Sequence, residues 1–202
     1  FNELDIPSNI DVGLLAPRMP GKPIREYYLN NSGVPAFVDI YQDFSNNAWK
    51  KLLALAKGIG STRVGAMHIT FKEETEIDLF IEQFFLPLLI KGIRLSFDYL
   101  VSKGFTPEAV LMELYASGEI GELLKISSTE GIYKVWQKHA SPTCQFGILN
   151  NHEKVLQTKK TNKIIDSTLK NIRNRNFLDA LNKEAKLNYK NLKKYNLENN
   201  ND

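Results

Sequence analysis

Strand-length apolar runs in this chain all begin before Thr70, and everything after it is patterned as helix. Residues 10–15 form a short apolar run closed by Ala16-Pro17, with Pro20-Gly21 just beyond. Residues 36–41 form a second, introduced by Gly33-Val34-Pro35, and residues 64–71 a third. Between the last two, residues 48–59 place Trp49, Leu52, Leu53, Ala56 and Ile59 on one helical face. Gly58-Ile59-Gly60 should end that helix. Strand, strand, helix, strand is the pattern of the end of a doubly wound α/β sheet. Three such strands are few for a free-standing sheet of that kind.

The helical part opens at Thr70-Phe-Lys-Glu73, which has the spacing of a capping box. That helix is predicted to pass Asp78, Phe80 and Glu82 and to kink or break at Pro87, because proline inside a helix costs about 3 kcal/mol. A second helix, 93–102, should stop at Gly104. Thr106 and Pro107 read as the N-cap and first position of a third, which runs to Ser117-Gly118 and is followed by a short helix over 119–126. Helical spacing returns at Ile165, Leu169 and Ile172, then at Leu178, Leu181, Ala185, Tyr189 and Leu192. Charge changes along the chain. Residues 1–150 carry 14 Lys+Arg and 17 Asp+Glu, a net of −3, whereas residues 151–202 carry 12 and 6, a net of +6. These shifts predict a sheet-bearing segment over 1–69, a helical segment over 70–150 and a basic helical extension over 151–202 with a frayed, Asn-rich end.

Composition removes several classes of function. With 43% hydrophobic and 24% charged residues the chain is globular in type, neither disordered nor membrane-embedded. The longest span-like run, 84–90, is seven residues long, too short to cross a bilayer. The start, Phe-Asn-Glu-Leu-Asp, has neither the basic nor the apolar part of a signal peptide. One cysteine, Cys144, excludes an internal disulfide and a multi-cysteine zinc site, which suits a reducing, cytoplasmic setting. A net charge of +3 does not by itself imply a nucleic-acid partner, and the tail aromatics Phe177, Tyr189 and Tyr195 fit helix faces equally well. His68, His139 and His152 lack metal-ligand spacing, and Cys144 forms no catalytic pair with any of them. Gly58-Ile-Gly60 follows a helix instead of opening one, so it is not a dinucleotide loop.

The chemistry concentrates at carboxylates 73, 74, 76, 78 and 82. Asp78 and Glu82 are four apart and share a face if the segment is α-helical. Such a pair suits a hard cation such as Mg²⁺, which takes oxygen ligands; a solvated acidic face is the alternative. Glu113 lies among Val110, Leu111, Met112, Leu114 and Tyr115, so it either has a cation partner or points outward. Ser141, before Pro142, is either a ligand-binding hydroxyl or a turn residue.

Several segments together resemble the ketol-acid reductoisomerase family of branched-chain amino-acid biosynthesis. They are Asp11-Val-Gly-Leu-Leu-Ala-Pro-Arg-Met-Pro-Gly21, Arg25-Glu-Tyr-Tyr28, Gly33-Val-Pro-Ala36, Tyr41-Gln-Asp43, Ala56-Lys-Gly-Ile-Gly-Ser-Thr-Arg63 and the stretch from Thr70 to Gln83. The resemblance implies a remnant of a Rossmann-type domain followed by a knotted all-helical domain that pairs with a second subunit. It implies two Mg²⁺ ions and NADPH or NADH, acting on a small 2-acetohydroxy acid. Magnesium-dependent alkyl migration would come first, then reduction to a 2,3-dihydroxy acid. By resemblance Asp78, Glu82 and Glu113 are metal ligands, Glu113 and Glu119 the proton-relaying carboxylates, and Ser141 a substrate-binding serine. No nucleic acid or membrane partner is implied. The sequence also departs from the family. Ser117 stands where a second glutamate is usual, with Glu119 two residues on, and Ile81 and Pro87 stand where small residues are usual. Phe1-Asn2 resembles the residues that follow the family's catalytic His-Gly, and the family's Gly-rich fingerprint lies upstream of that point. These 202 residues alone are therefore expected not to reduce acetohydroxy acids. The other reading is a non-catalytic remnant that keeps the helical dimerisation module.

Overall fold

The structure, a computed structural model, describes residues 5–156 and 158–198. The Phe1-Asn2 match and the end of the Asn-rich tail lie outside the described residues. Three strands, β1 (Val12–Pro17), β2 (Ala36–Gln42) and β3 (Ala66–His68), form one sheet in the order β1-β2-β3. β2 and β3 run parallel, which requires a crossover, and α2 (Ala48–Gly58) supplies it. β1 is antiparallel to β2, the kind of edge strand that otherwise parallel sheets often carry.

β2 lies where the second apolar run predicted a strand. Ala36 and Val38 are buried, and α2 packs against β1 and β2 with Ala48, Leu52 and Ala56 buried. The intervening residues Phe37, Asp39 and Tyr41 serve the other side, where Tyr41 meets Phe71 edge to face at 6.0 Å. Gly60 ends α2 in the left-handed region (φ 85°), as a glycine beyond a helix C-terminus commonly does. Gly33 packs against it so closely that a Cβ there would stand 2.1 Å from the Gly60 carbonyl oxygen.

Several expectations are corrected. The run 64–71 shortens to the three residues of β3, because Ser61–Arg63 form a 3-10 turn and the Gly65 N–H bonds back to the Ser61 carbonyl. The first strand lies two residues later than predicted. A helix not anticipated, α1 (Gly21–Leu29), joins β1 to β2. Its Pro23 falls in the first turn, where a missing N–H leaves no hydrogen bond broken.

After β3, α3 (Phe71–Phe80) passes into a π-helical turn, Ile81–Phe85, and then α4 (Leu86–Ser102). The predicted break at Pro87 and separate helix at 93–102 become this change of helix type. Pro87 falls in the first turn of α4, after the longer-reaching π turn, and the rest of α4 is uninterrupted. α5 (Pro107–Leu111) starts at Thr106 as predicted, but no Thr106 side-chain cap bond forms, and α5 passes into a second π turn, Met112–Ala116. Next come α6 (Glu119–Glu130), α7 (Ile132–His139), α8 (Pro142–Val155) and α9 (Thr158–Arg173).

The predicted apolar series from Leu178 to Leu192 is split into α10 (Asn176–Lys186) and α11 (Lys190–Glu198). Asn188 and Tyr189 take positive φ between them, and the Glu184 carboxylate accepts the Asn191 and Leu192 N–H groups (2.7 and 3.0 Å). Those bonds hold the Glu184 carboxyl below its usual range. The backbone divides into two compact units, one of residues up to 79 with those from 172 onward, the other of residues 80–171. Among the described residues, no helix is long and apolar enough to cross a membrane.

Candidate functional site

Thr70 opens α3: its Oγ1 accepts the Glu73 N–H at 3.1 Å, half of the predicted capping box. One helical turn separates Glu74 from Asp78, so both carboxylates emerge on the same side of α3. Arg18, the residue after β1, reaches both. Its Nη1 donates to Glu74 Oε1 at 3.3 Å and its Nη2 to Asp78 Oδ1 at 3.2 Å. The guanidinium also lies over the Phe37 ring, 4.9 Å from its centroid. The Glu74 side chain is largely covered and that of Asp78 half-exposed. Burial pushes the Glu74 carboxyl up, Arg18 opposes this, and the Asp78 charge adds to the rise.

Glu76 points elsewhere on α3 and is buried. Its Oε2 accepts Arg173 Nε and Nη2 at 3.0 and 2.8 Å, and the paired guanidinium holds its carboxyl below the usual range. This pair belongs to the packing of the end of α9 against α3.

The remaining sequence candidates are spread over the helical unit. Glu82 lies in the first π turn and Glu113 in the second, and both side chains are exposed. Within this chain the Glu113 side chain is exposed and carries no buried charge. Glu119 is the exposed first residue of α6, with its N–H 3.4 Å from Ser117 Oγ. Ser141 is the N-cap of α8, where its Oγ accepts the Cys144 N–H at 3.3 Å. Among the described residues, no three His, Cys, Asp or Glu side chains gather closely enough to hold a metal ion by themselves. Sequence reasoning missed the part played by Arg18 and singled out Glu82 as the partner of Asp78. The Glu74–Asp78 spacing, also four, was the available signal.

Two family models match this chain. "Ketol-acid reductoisomerase, C-terminal domain" covers residues 71–202 and "Acetohydroxy acid isomeroreductase, NADPH-binding domain" covers residues 1–65. The chain belongs to the ketol-acid reductoisomerase family. The ketol-acid reductoisomerase (NADP(+)) of Pyrobaculum aerophilum is 39% identical over 171 residues, 84% of this chain and 51% of that protein. The protein of the same name from Saccharolobus solfataricus is 42% identical over 151 residues, 73% of this chain and 43% of that one. The chain thus spans about half the length of the curated relatives it matches. A solved NADH-preferring ketol-acid reductoisomerase from an uncultured archaeon superposes with a TM-score of 0.89 at 27% identity, covering 98% of this chain and 59% of that one.

Many of the residues that carry the ketol-acid reductoisomerase resemblance build the sheet unit itself. Asp11 accepts from the Ser45 N–H and hydroxyl and from Lys51 Nζ (2.6 Å), and these donors, Lys51 foremost, hold its carboxyl far below the usual range. Gln42 donates to the Pro7 and Ile10 carbonyls, and Asp43 accepts the Ala48 N–H that starts α2. Arg63 donates to the Tyr28 carbonyl in the last turn of α1 and the Ser32 carbonyl just beyond it, and lies over the Tyr28 ring at 4.7 Å. The acidic face of α3 differs from this frame: two carboxylates, Glu74 and Asp78, share one guanidinium.

Proposed function

We propose that this chain serves a ketol-acid reductoisomerase reaction: magnesium-dependent alkyl migration in a 2-acetohydroxy acid, then reduction by NADPH or NADH to a 2,3-dihydroxy acid. Membership of the family supports it, and the observation that carries it is the acidic face of α3, with Asp78 half-exposed beside Glu74. The donor set is all oxygen, and Mg²⁺ is commonly held by one or two carboxylates while keeping several waters. These residues therefore fit the ion. Asp78 and Glu82 would hold it, with Glu113 as a further ligand in a paired site. Two such ions would act as Lewis acids and as a template for the migrating group.

The chain's own residues do the rest. Arg18 offsets part of the repulsion between Glu74 and Asp78 and orients both on the sheet side. Glu113 and Glu119, exposed on their helices, are available to relay a proton. Ser141 keeps its hydroxyl proton free to donate to a substrate oxygen while its lone pair caps α8. We assign residues 1–69 to the nucleotide-binding part, 70–150 to the helical, knotted metal and substrate part, and 151–202 to a basic helical extension. A cytoplasmic setting and self-association belong to the same reading. α4 buries none of its residues, and the helical unit buries only Val110 and Val135 among its described apolar residues, so a second copy is the fitting cover.

Calorimetric titration with Mg²⁺ tests the site. Binding in the millimolar range or tighter is expected for the native chain and is lost in Asp78→Asn. Equal binding by both would end this assignment. NADPH oxidation with 2-acetolactate and Mg²⁺ reads the overall reaction.

A further inference from the structure

Asp39 sits in the middle of β2 and is 9% exposed, an expensive place for a carboxylate unless its oxygens are satisfied. Both are. Oδ2 accepts the Phe71 N–H at 2.9 Å. Oδ1 lies 2.9 Å from His68 Nε2, which donates to it in the tautomer protonated there. The His68 ring stands edge-on to Trp49, with centroids 5.3 Å apart.

Phe71 is the first residue of α3, and its N–H is one of the donors a helix leaves unpaired at its start. A carboxylate there also meets the positive end of the helix dipole. Two residues before Asp39, Phe37 carries the Arg18 guanidinium; two residues after it, Tyr41 meets the Phe71 ring. One side of β2 therefore touches Arg18 and the first residue of α3, the helix that carries Glu74 and Asp78. The two Arg18 bonds, 3.3 and 3.2 Å, are already at the long end of hydrogen bonding. A slip of α3 by one residue's rise, about 1.5 Å, would break both.

We propose that Asp39 is a positioning residue. By holding the start of α3 to β2, it sets where Glu74 and Asp78 stand relative to Arg18, and so sets the affinity of this face for a divalent cation. The cation half of this proposal rests on the reading under Proposed function; the placement of α3 does not.

The test uses the full chain and Mn²⁺ as the probe, with amide hydrogen exchange as a metal-free readout. Asp39→Ala removes the acceptor and should weaken Mn²⁺ binding by about tenfold or more, the range seen when an outer partner of a metal ligand is lost. It should also raise exchange at residues 71–78 while residues 48–58 keep their protection. Asp39→Asn keeps an acceptor for Phe71, and its amide can donate to the other His68 tautomer. It should restore both readouts and folds wherever the alanine variant does not. Leu52→Ala, a core change on the α2 side, should lower stability and leave Mn²⁺ affinity alone. Native Mn²⁺ affinity and unchanged 71–78 exchange in Asp39→Ala would overturn the proposal. So would a loss of Mn²⁺ affinity that Leu52→Ala reproduces. If Asp78→Asn leaves Mn²⁺ binding intact, it is the cation reading that fails, and exchange at 71–78 alone then decides the role of Asp39.

Discussion

Glu76 and Arg173 stand 97 positions apart in the chain and form the two hydrogen bonds that tie the end of α9 to α3. Arg173 lowers the Glu76 carboxyl, so the pair's contribution is present above the ordinary carboxylate range and is lost as pH falls through the depressed value. Arg173→Met leaves a buried carboxylate whose pKa burial then raises, which costs stability at neutral pH and nothing once the group is protonated. Thermal melts should show the variant clearly below the native chain at pH 7, with the gap narrowing as pH falls through the carboxylate range and closing below the depressed Glu76 value. A gap that stays constant with pH would contradict this account. Spacing could show that Glu76 shares no face with Glu74 and Asp78. It could not show that Arg173 would meet it, because that pairing depends on where the chain returns.

At the scale of elements, strand and helix identities were legible where a local signal was clean: α2, α3 and β2 lie close to where helical spacing, a capping box and an apolar run put them. Helix type was not. The i, i+4 argument for Asp78 and Glu82 assumes an α-helix, yet Glu82 lies in a π turn, where hydrogen bonds reach one residue further and the angular spacing changes. Glu113 lies in the other π turn. Such turns are frequent at functional sites, and no local residue pattern announces them. The glycines divide in the same way. Gly58, the last residue of α2, has open space around a would-be Cβ, so Gly58→Ala should stabilise by about 0.4–1 kcal/mol through the unfolded chain. Gly33→Ala drives a Cβ against the Gly60 carbonyl and should cost at least the roughly 1–3 kcal/mol of overpacking. Urea unfolding of the two variants would show opposite signs; equal signs would refute the packing of Gly33 on Gly60.

At the scale of the whole molecule, apolar surface is the main unbalanced quantity. Phe85, Leu86, Leu88, Leu89, Ile90, Leu95 and Tyr99 are each more than a third exposed along one helical segment. A helix this apolar is ordinarily covered. Light scattering at micromolar concentration should give at least twice the chain mass, and Leu89→Glu with Ile90→Lys should reduce it to the monomer. A native monomer would count against the self-association proposed above.

The sequence by itself determined the family, the division into a strand-bearing and a helical part, and the acidic face of α3, because all three are properties of residue type and local spacing. It also carried the frame residues Asp11, Asp43 and Arg63 in its motifs, though not what they hold. Tertiary structure alone decided the rest: the antiparallel placement of β1, the return of Arg173 to Glu76, the fork of Arg18 between Glu74 and Asp78, and the grip of Asp39 on α3. Each joins residues at least 32 positions apart or sets the direction of one strand against another. Contacts of that kind come from packing one element on another, and periodicity within an element carries no information about them.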